Sequence, residues 1–227
     1  KDMRNVLEYK EGVSFFGSSS GWENKVEMGK GRSAGIEFMA QKTAGKTTGW
    51  LSYTLSKSDR KFTKGGINNG EWFPYKYDRR HSINLTINHK FSDRIDIGAS
   101  WVFYTGGTST IPEEKTTVIR PHNGANNGFL WYGTYDNTNS SPTIGDVSYI
   151  EHRNNFRLPA SHRLNLGVNF NKKTKHGMRT WNISLYNAYN AMNPAWVYRG
   201  HNKQGLSVIK KYTLLPLIPS FTYTYKF

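Results

Sequence analysis

Apolar and polar residues alternate strictly at the end of the chain. The aromatic positions are Phe221, Tyr223, Tyr225 and Phe227, and threonine or lysine stands between them. Because a β-strand points alternate side chains to opposite faces, this stretch predicts a strand with one aromatic and one polar face. The same period of two predicts strands at residues 27–42, 48–57, 81–91, 94–104, 162–171 and 180–190, and a last strand that begins near residue 207.

The connections between these strands alternate in length. Short turns are predicted at residues 43–46, 92–93 and 172–179, and longer polar connections at 58–78, 105–160 and 191–205. Outer-membrane barrels have short periplasmic turns and longer outer loops, whereas a soluble sandwich has no reason to sort its loops by side. The pattern therefore predicts an all-β fold, an antiparallel transmembrane β-barrel with its carboxyl end in the periplasm.

The number of strands bears on whether the chain forms a whole barrel. We predict seven firm strands, whereas bacterial single-chain barrels have an even number. We therefore expect the chain to be the carboxyl-terminal part of a larger barrel, whose other strands lie upstream or on another chain. The alternative is that residues 5–16 form an eighth strand, which would close a small, self-contained barrel with an adhesive or structural role.

The composition agrees with a membrane barrel. Only 36% of the residues are hydrophobic, 15% are aromatic and the mean hydropathy is −0.69. Such a chain would struggle to bury enough apolar area for a soluble core, whereas a barrel needs only every second strand residue to be apolar. No apolar run approaches the roughly 18 residues of a membrane helix, and the absence of cysteine excludes disulfides and thiol chemistry.

The chain has a net charge of +15 at pH 7, which raises nucleic-acid binding as a third hypothesis. The basic residues are spread over turns, loops and strand ends rather than along a helix or a run with interleaved aromatics. This distribution favours contact with lipopolysaccharide phosphates and argues against a nucleic-acid partner.

Sequence motifs for catalysis are missing. Seven histidines are scattered without metal-ligand spacing, which favours loop or girdle positions. Glu113 and Glu114 form the only adjacent acidic pair, and no nucleophile or histidine is arranged near them in the sequence. We expect neither an enzyme nor a metal site nor a cofactor.

Several segments resemble one family in their order along the chain. They are GKGRSAGIE at 29–37, SYTLS at 52–56, FPYKYDRRHSIN at 73–84, PASHRLNL at 159–166, YNAYNAMNP at 186–194 and LLPLIPS at 214–220. Together they resemble the carboxyl-terminal barrel region of TonB-dependent outer-membrane receptors of the kind found in Bacteroides-like bacteria. The terminal Phe227, with aromatics at alternate positions before it, resembles the signal that directs such barrels to the assembly machinery.

The resemblance implies a Gram-negative outer-membrane transporter with a plugged barrel of about 22 strands. Such a receptor takes up a scarce nutrient (a siderophore, haem, metal complex, vitamin, peptide or glycan) with energy relayed by TonB. The implied partners are the plug and earlier strands of the same receptor, TonB acting through that part, outer-membrane lipid and lipopolysaccharide, and the assembly machinery. A surface lipoprotein is compatible with the resemblance as a further partner. Neither a plug sequence nor a TonB box is found in this chain.

Aromatic and basic residues of the three long connections are the candidates for ligand contact, because a loop aromatic offers a stacking surface with a polar edge. These candidates are Trp72, Tyr75, Trp131, Tyr132, Tyr135, Trp196, Tyr198 and Arg199. The alternative is that they pack the loops or form the outer aromatic girdle. For the charged cluster at 78–81, we expect charge pairing at the rim of the barrel rather than ligand contact.

Overall fold

The computed structural model describes residues 1–10, 21–120 and 143–227, and the described chain is all-β. The strands are β1 Asp2–Tyr9, β2 Val26–Lys42, β3 Thr47–Lys61, β4 Phe73–Pro74, β5 His81–Lys90, β6 Ile95–Tyr104, β7 Thr108–Ser109, β8 Glu114–Arg120, β9 Thr143–Tyr149, β10 Phe156–Arg157, β11 Ser161–Thr174, β12 Gly177–Tyr186, β13 Pro194–His201, β14 Ser207–Thr213 and β15 Ile218–Lys226. Single-turn 3-10 helices span Trp22–Lys25 and Ile67–Gly70. Within these residues, no helix has the length and apolarity needed to cross a bilayer.

One large antiparallel sheet organises the chain. Its strand order is β1-β2-β3-β5-β6-β11-β12-β15, with β4 paired to β3 as a short addition. The predicted antiparallel all-β fold is therefore confirmed, and β1 adds an eighth long strand to the seven predicted. Since β1 and β15 do not pair with each other, the sheet is open at both edges and the described residues do not form a closed barrel.

The strand register collects the apolar positions on one side of the sheet. Directly paired residues share a face, and Leu51, Leu85, Trp101 and Leu164 follow one another in register from β3 to β11. We call this side the apolar face. It also carries Ile36, Phe38, Tyr53, Leu55, Ile83, Ile87, Ile97, Phe103, Leu166, Val168, Trp181, Ile183, Phe221 and Tyr223.

The described residues place no second layer over the apolar face. Ile36 is 73% exposed on β2, and Leu166, in the middle of the sheet, is still 37% exposed. The buried hydrophobic residues of the described chain all lie in connections instead: Phe62, Ile67, Phe73 and Ile111. Among the described residues, the apolar side of the sheet therefore contributes no residue to a buried core.

The other side, which we call the polar face, is held together by hydrogen bonds between side chains. The amides of Asn169 and Asn171 each donate to one carboxylate oxygen of Asp96 at 2.7 Å. The same asparagines accept hydrogen bonds from Asn182 and Thr180, also at 2.7 Å. These bonds link β6, β11 and β12, so that the polar residues satisfy one another without an apolar layer above them.

The two ends of the sheet differ as predicted. The short connections 43–46, 91–94 and 175–176 lie at one end, the short-turn end, where β15 also finishes beside Met178. At the other end, the long-loop end, β1, β3, β6 and β12 finish and β2, β5, β11 and β15 begin, so the connections 10–25, 62–80, 105–160 and 187–217 start and finish there. The length pattern read from the sequence thus corresponds to a physical sorting of the connections.

The long connections contain more structure than the sequence predicted. Residues 191–205 were expected to form a loop, but β13 and β14 pair there as a hairpin in which Trp196 and Tyr212 stack at 4.3 Å. The last strand of the main sheet consequently begins at Ile218 rather than near residue 207. Short strands β7 to β10 also form within residues 105–160, where no sustained alternation was found.

Candidate ligand-contact site at the long-loop end

A small core anchors the connection 62–80, which we call the first long connection, to the polar face. Phe62, Ile67 and Phe73 are buried together, and Val6 of β1 packs against them. Gly29 of β2 lies against this core, and the packing requires a glycine at that position. A Cβ on Gly29 would lie 2.6 Å from the Phe62 ring and 2.4 Å from the carbonyl oxygen of Lys61.

The carboxylate of Glu27 fastens the same connection to β2. It accepts hydrogen bonds from the backbone amides of Thr63 at 3.0 Å and Ile67 at 3.2 Å, and from the Thr63 hydroxyl. Burial acts to raise the pKa of Glu27, but these hydrogen bonds and the charge of Lys10 outweigh it and hold the pKa below its ordinary value. The loop is therefore tied to an ionised side chain.

Asp78 ties two connections to β3: the first long connection, and the connection 105–160, which we call the second long connection. Its buried carboxylate accepts hydrogen bonds from the Ser58 amide and from Nη2 of Arg157, both at 2.6 Å, and pairs with Arg80 at 3.3 Å. Arg157 also donates to the carbonyl oxygens of Asp78 at 2.8 Å and Gly106 at 2.9 Å. The charge pairing expected within residues 78–81 is present, but its principal partner, Arg157, was not identified from the sequence.

Asparagines complete the attachment between the first and second long connections. The Asn68 side chain accepts from the Arg153 amide at 2.7 Å and donates to the Arg153 carbonyl at 3.2 Å. Asn154 donates to the Pro74 carbonyl at 2.8 Å. The described parts of the two connections therefore form one hydrogen-bonded cap over the long-loop end of the polar face.

Arginines stacked on tyrosines line the polar side of this end. Arg60 lies 3.9 Å from the ring centre of Tyr75, and Arg79 lies 4.0 Å from that of Tyr104. A third guanidinium, that of Arg163, stacks 4.3 Å from the ring centre of Tyr186 and donates a hydrogen bond to its hydroxyl. The Nε atoms of Arg60 and Arg163 are buried and have no hydrogen-bond partner in the described chain.

The structure separates the predicted ligand residues of the first connection. Tyr75 belongs to the arginine–tyrosine stacks on the polar side. Trp72 stacks on Arg32 at 4.3 Å, and Arg32 shares the register of the apolar face. The two aromatics therefore lie on opposite sides of the sheet.

The predicted residues of the last connection also divide. Trp196 and Tyr198 share one face of the hairpin and are 48% and 46% exposed. Arg199 lies on the other face, where it bonds to the Ser207 hydroxyl at 2.7 Å and to the carbonyls of Pro112 and Glu113 at 3.4 and 3.3 Å. Trp131, Tyr132 and Tyr135 fall outside the described residues.

A groove of about 360 Å³ runs beside Arg199. Its apolar walls include Ile111, Phe156 and Ile209, and Glu113 and Asn155 provide polar groups. This size is at the lower end of small-molecule sites. The hairpin and the second long connection form the groove together, so it is a composite surface of two loops that the sequence did not reveal.

The chemistry available at this end is suited to binding. The described residues contain no cluster of histidines and carboxylates that could hold a metal ion. Guanidinium–tyrosine stacks present positive charge and planar surfaces, which suit anionic or ring-containing ligands.

The sequence analysis did not identify four of the residues at this end. They are Arg157, Tyr104, Tyr186 and Arg163, which no sequence pattern marks clearly. Their positions follow from strand register and from contacts between residues far apart in sequence.

Comparison with known proteins adds no relative to this description. No protein-family model matches the chain, and searches of curated proteins and of solved structures found no match.

Proposed function

We propose that this chain forms the carboxyl-terminal strands and outer loops of a TonB-dependent transporter in a Gram-negative outer membrane. The observation that carries the proposal is the apolar face, which extends in register from β2 to β15 and is covered by no layer of the described chain. Lipid is the medium that makes such a face stable, because an aqueous face of this size would drive association.

The height of the apolar face supports a bilayer setting. On β5 it extends from His81 to His89, a distance of about 27 Å along the strand at about 3.4 Å per residue. A strand tilt of about 40° reduces this to about 20 Å along the membrane normal, close to the apolar band of about 25 Å expected for such barrels.

Amphipathic rings at both limits of the face support the same setting. At the long-loop end, Tyr53 bonds to His81 at 2.9 Å and Tyr189 bonds to His162 at 2.8 Å. At the short-turn end, Thr47 bonds to His89 at 2.7 Å. Rings that combine an apolar body with a polar atom prefer the membrane–water interface. These pairs would form the two girdles.

Transport is the function that best fits the polar side. A ligand that entered from outside would meet the three arginine–tyrosine stacks and the groove beside Arg199 before it reached the polar face. The plug, the earlier strands and the TonB contact belong to the rest of the receptor in this proposal, and Phe221, Tyr223, Tyr225 and Phe227 would direct assembly. A surface lipoprotein above the loops remains compatible with it.

The alternative of a small, self-contained barrel draws support from the eight long strands of the sheet. It also requires β1 to pair with β15, whereas β1 pairs only along residues 26–32 of β2. This geometry favours additional strands at both edges, and hence the larger barrel.

The lipid-facing assignment is tested with two adjacent positions on β5. Leu85→Cys and Thr86→Cys are placed separately in the full-length receptor, spin-labelled and reconstituted in bilayers; this chain contributes no cysteine of its own. We expect the label at 85 to collide with oxygen dissolved in the bilayer and the label at 86 to collide with a water-soluble nickel chelate. If both labels prefer the nickel chelate, or neither probe reaches position 85, the barrel assignment is wrong.

The transport assignment needs a separate experiment. Cells with and without the gene, each with and without functional TonB, are grown on media limited in turn for iron complexes, vitamins, peptides and glycans. We expect a growth advantage that requires both the gene and TonB on at least one source. If bilayer exposure is found but the gene gives no TonB-dependent advantage on any source, the small structural barrel becomes the better assignment.

A further inference from the structure

The groove beside Arg199 contains two charges of opposite sign that do not neutralise each other. Nη1 of Arg199 donates to the carbonyl oxygen of Glu113 at 3.3 Å, whereas Oε1 of the Glu113 carboxylate accepts from the side-chain amide of Asn155 at 2.9 Å. Within the described chain the guanidinium and this carboxylate form no ion pair, and neither Nη2 of Arg199 nor Oε2 of Glu113 makes a hydrogen bond. Each side chain therefore keeps one charged edge for a ligand.

The loops hold both charged side chains in position. Asn155 accepts from the Ile111 amide at 2.9 Å and donates to the Ile111 carbonyl oxygen at 2.8 Å, so the residue that orients Glu113 is itself fixed. Nε of Arg199 donates to the Ser207 hydroxyl at 2.7 Å. Side chains that are already ordered lose little conformational entropy when a ligand binds, so the two charges are preorganised for recognition.

Apolar walls lie beside the two charges. Ile111 is 8% exposed, and Phe156 and Ile209 extend the apolar lining. The groove of about 360 Å³ has room for about a dozen water molecules at about 30 Å³ each. The site therefore combines a cation, an anion and a small apolar compartment, and the part of a ligand that it holds is small.

This combination argues against two other ligand classes. A simple anion would be attracted by Arg199 but repelled by the Glu113 carboxylate in the same groove. A sugar ring would need an exposed aromatic ring to stack on, yet Trp196 and Tyr198 of the hairpin lie on the face opposite Arg199. Complementarity instead requires a ligand with one positive group, one negative group and an apolar body.

We infer that the groove binds an apolar dipeptide, with its carboxylate at Arg199 and its ammonium group at Glu113. This inference rests on the proposed function and names the nutrient class of the receptor. Arg199 contacts residue 113 at its backbone, and the Glu113 carboxylate stands at the end of the side chain, so the two charges are about one side-chain length apart. Two residues of an extended peptide span at most about 7 Å, which is of the same order, and the apolar walls would contact the side chains of the peptide.

The experiment measures binding to the full-length receptor in detergent by isothermal titration calorimetry. The probes are leucyl-leucine, its N-acetyl derivative, which lacks the ammonium group, and its carboxamide, which lacks the carboxylate. The test variants are Arg199→Gln and Glu113→Gln. The matched controls are Lys210→Gln, on the opposite face of the hairpin, and Glu151→Gln, an exposed acid of the second long connection outside the groove.

The wild type should bind leucyl-leucine about 10- to 100-fold more tightly than either derivative, because each derivative loses one charge-assisted contact. Arg199→Gln should remove the preference for the free carboxylate and keep the preference for the ammonium group. Glu113→Gln should remove the preference for the ammonium group and keep that for the carboxylate. The preference that each variant retains shows that it still folds, and both controls should bind as wild type.

Three results would each overturn the inference: no measurable binding of leucyl-leucine, equal binding of the three probes to the wild type, or the same loss in a control variant. The proposed function is judged separately by TonB-dependent growth. If growth requires TonB on an iron complex, a vitamin or a glycan but leucyl-leucine does not bind, the dipeptide inference fails and the transporter assignment stands. If leucyl-leucine binds with the expected preferences but no source gives TonB-dependent growth, the dipeptide site stands and the transporter assignment fails.

Discussion

Asp78 and Arg157 are 79 residues apart in sequence, yet Nη2 of Arg157 donates to the buried carboxylate of Asp78 at 2.6 Å. The side chain of Asp78 is fully buried, whereas that of Arg157 is 34% exposed. Because the same carboxylate accepts the Ser58 amide at 2.6 Å, this pair holds the second long connection to β3. The relationship makes the cap at the long-loop end a single structural unit.

Arg157→Gln should loosen that unit. Arg80 remains beside Asp78, and Arg157 is partly exposed, so we expect a cost of about 1–3 kcal/mol rather than the full cost of a broken buried pair. Hydrogen exchange at the Ser58 amide should accelerate by about 5- to 150-fold as a result. Arg79→Gln is the matched control, because Arg79 stacks on Tyr104 and does not bond to Asp78. Equal acceleration in both variants would contradict the assigned role of Arg157.

Gly29→Ala should destabilise the sheet at the long-loop end. The added Cβ would lie 2.4 Å from a backbone oxygen and 2.6 Å from the Phe62 ring, so the strands or the small core must shift. Overpacking of this kind costs about 1–3 kcal/mol. In Gly167→Ala the nearest atoms are 3.6 Å away, and that variant should be tolerated. Chemical unfolding of the two variants in detergent measures the difference. A Gly29→Ala protein as stable as Gly167→Ala would show that the Phe62 packing is not tight.

Acid should release the connection held by Glu27. Its folded-state pKa is lowered from 4.5, because its hydrogen bonds and the charge of Lys10 overcome the effect of burial. A lowered folded-state pKa means that the stabilisation is complete above 4.5 and is lost as the pH falls through the lower, folded-state value. Hydrogen exchange at the Thr63 and Ile67 amides, corrected for intrinsic exchange, should therefore accelerate below that pH.

The variant Glu27→Gln provides the comparison for acid release. Its amides at Thr63 and Ile67 should be less protected at neutral pH, and their protection should change little on acidification through this range. Glu37→Gln removes an exposed carboxylate that makes no hydrogen bond within the described chain and should behave as wild type. If Glu27→Gln retains the acid sensitivity of the wild type, another group is responsible.

Local alternation was sufficient to predict most of the long strands, because each side of the sheet selects its own residue type at every second position. It was insufficient for the β13–β14 hairpin. There, Lys210 and Lys211 interrupt the apolar pattern, and the hairpin is stabilised instead by cross-strand stacking of Trp196 on Tyr212 and by a turn with Gly205 at φ +79°. The hairpin thus depends on a pair contact that no periodicity reports.

The candidate site was predictable only in its residue types. Tyr75 was identified because loop aromatics are frequent contact residues, but its partner Arg60 lies on β3 and its position on the polar side follows from strand register. The Asn68–Arg153 contact spans 85 residues. A sequence pattern with a period of two or 3.6 carries no information about such pairs.

A charge placed at different heights of the apolar face distinguishes lipid from a protein layer. Leu85 lies midway between His81 and His89 on β5, so Leu85→Lys should cost about 2–4 kcal/mol, the range for a cation at the bilayer centre. Ile36→Lys, close to Lys57 at the upper limit of the face, should cost only about 0–1 kcal/mol. Thr86→Lys, on the polar face beside Leu85, is the control and should be nearly neutral. The free energy of unfolding in lipid vesicles measures all three.

A soluble protein that covered this face with a second layer would penalise a lysine according to its burial and not its height. A cost at position 36 equal to that at 85 would therefore contradict the membrane assignment, whereas a graded cost requires a medium whose polarity changes along the strand.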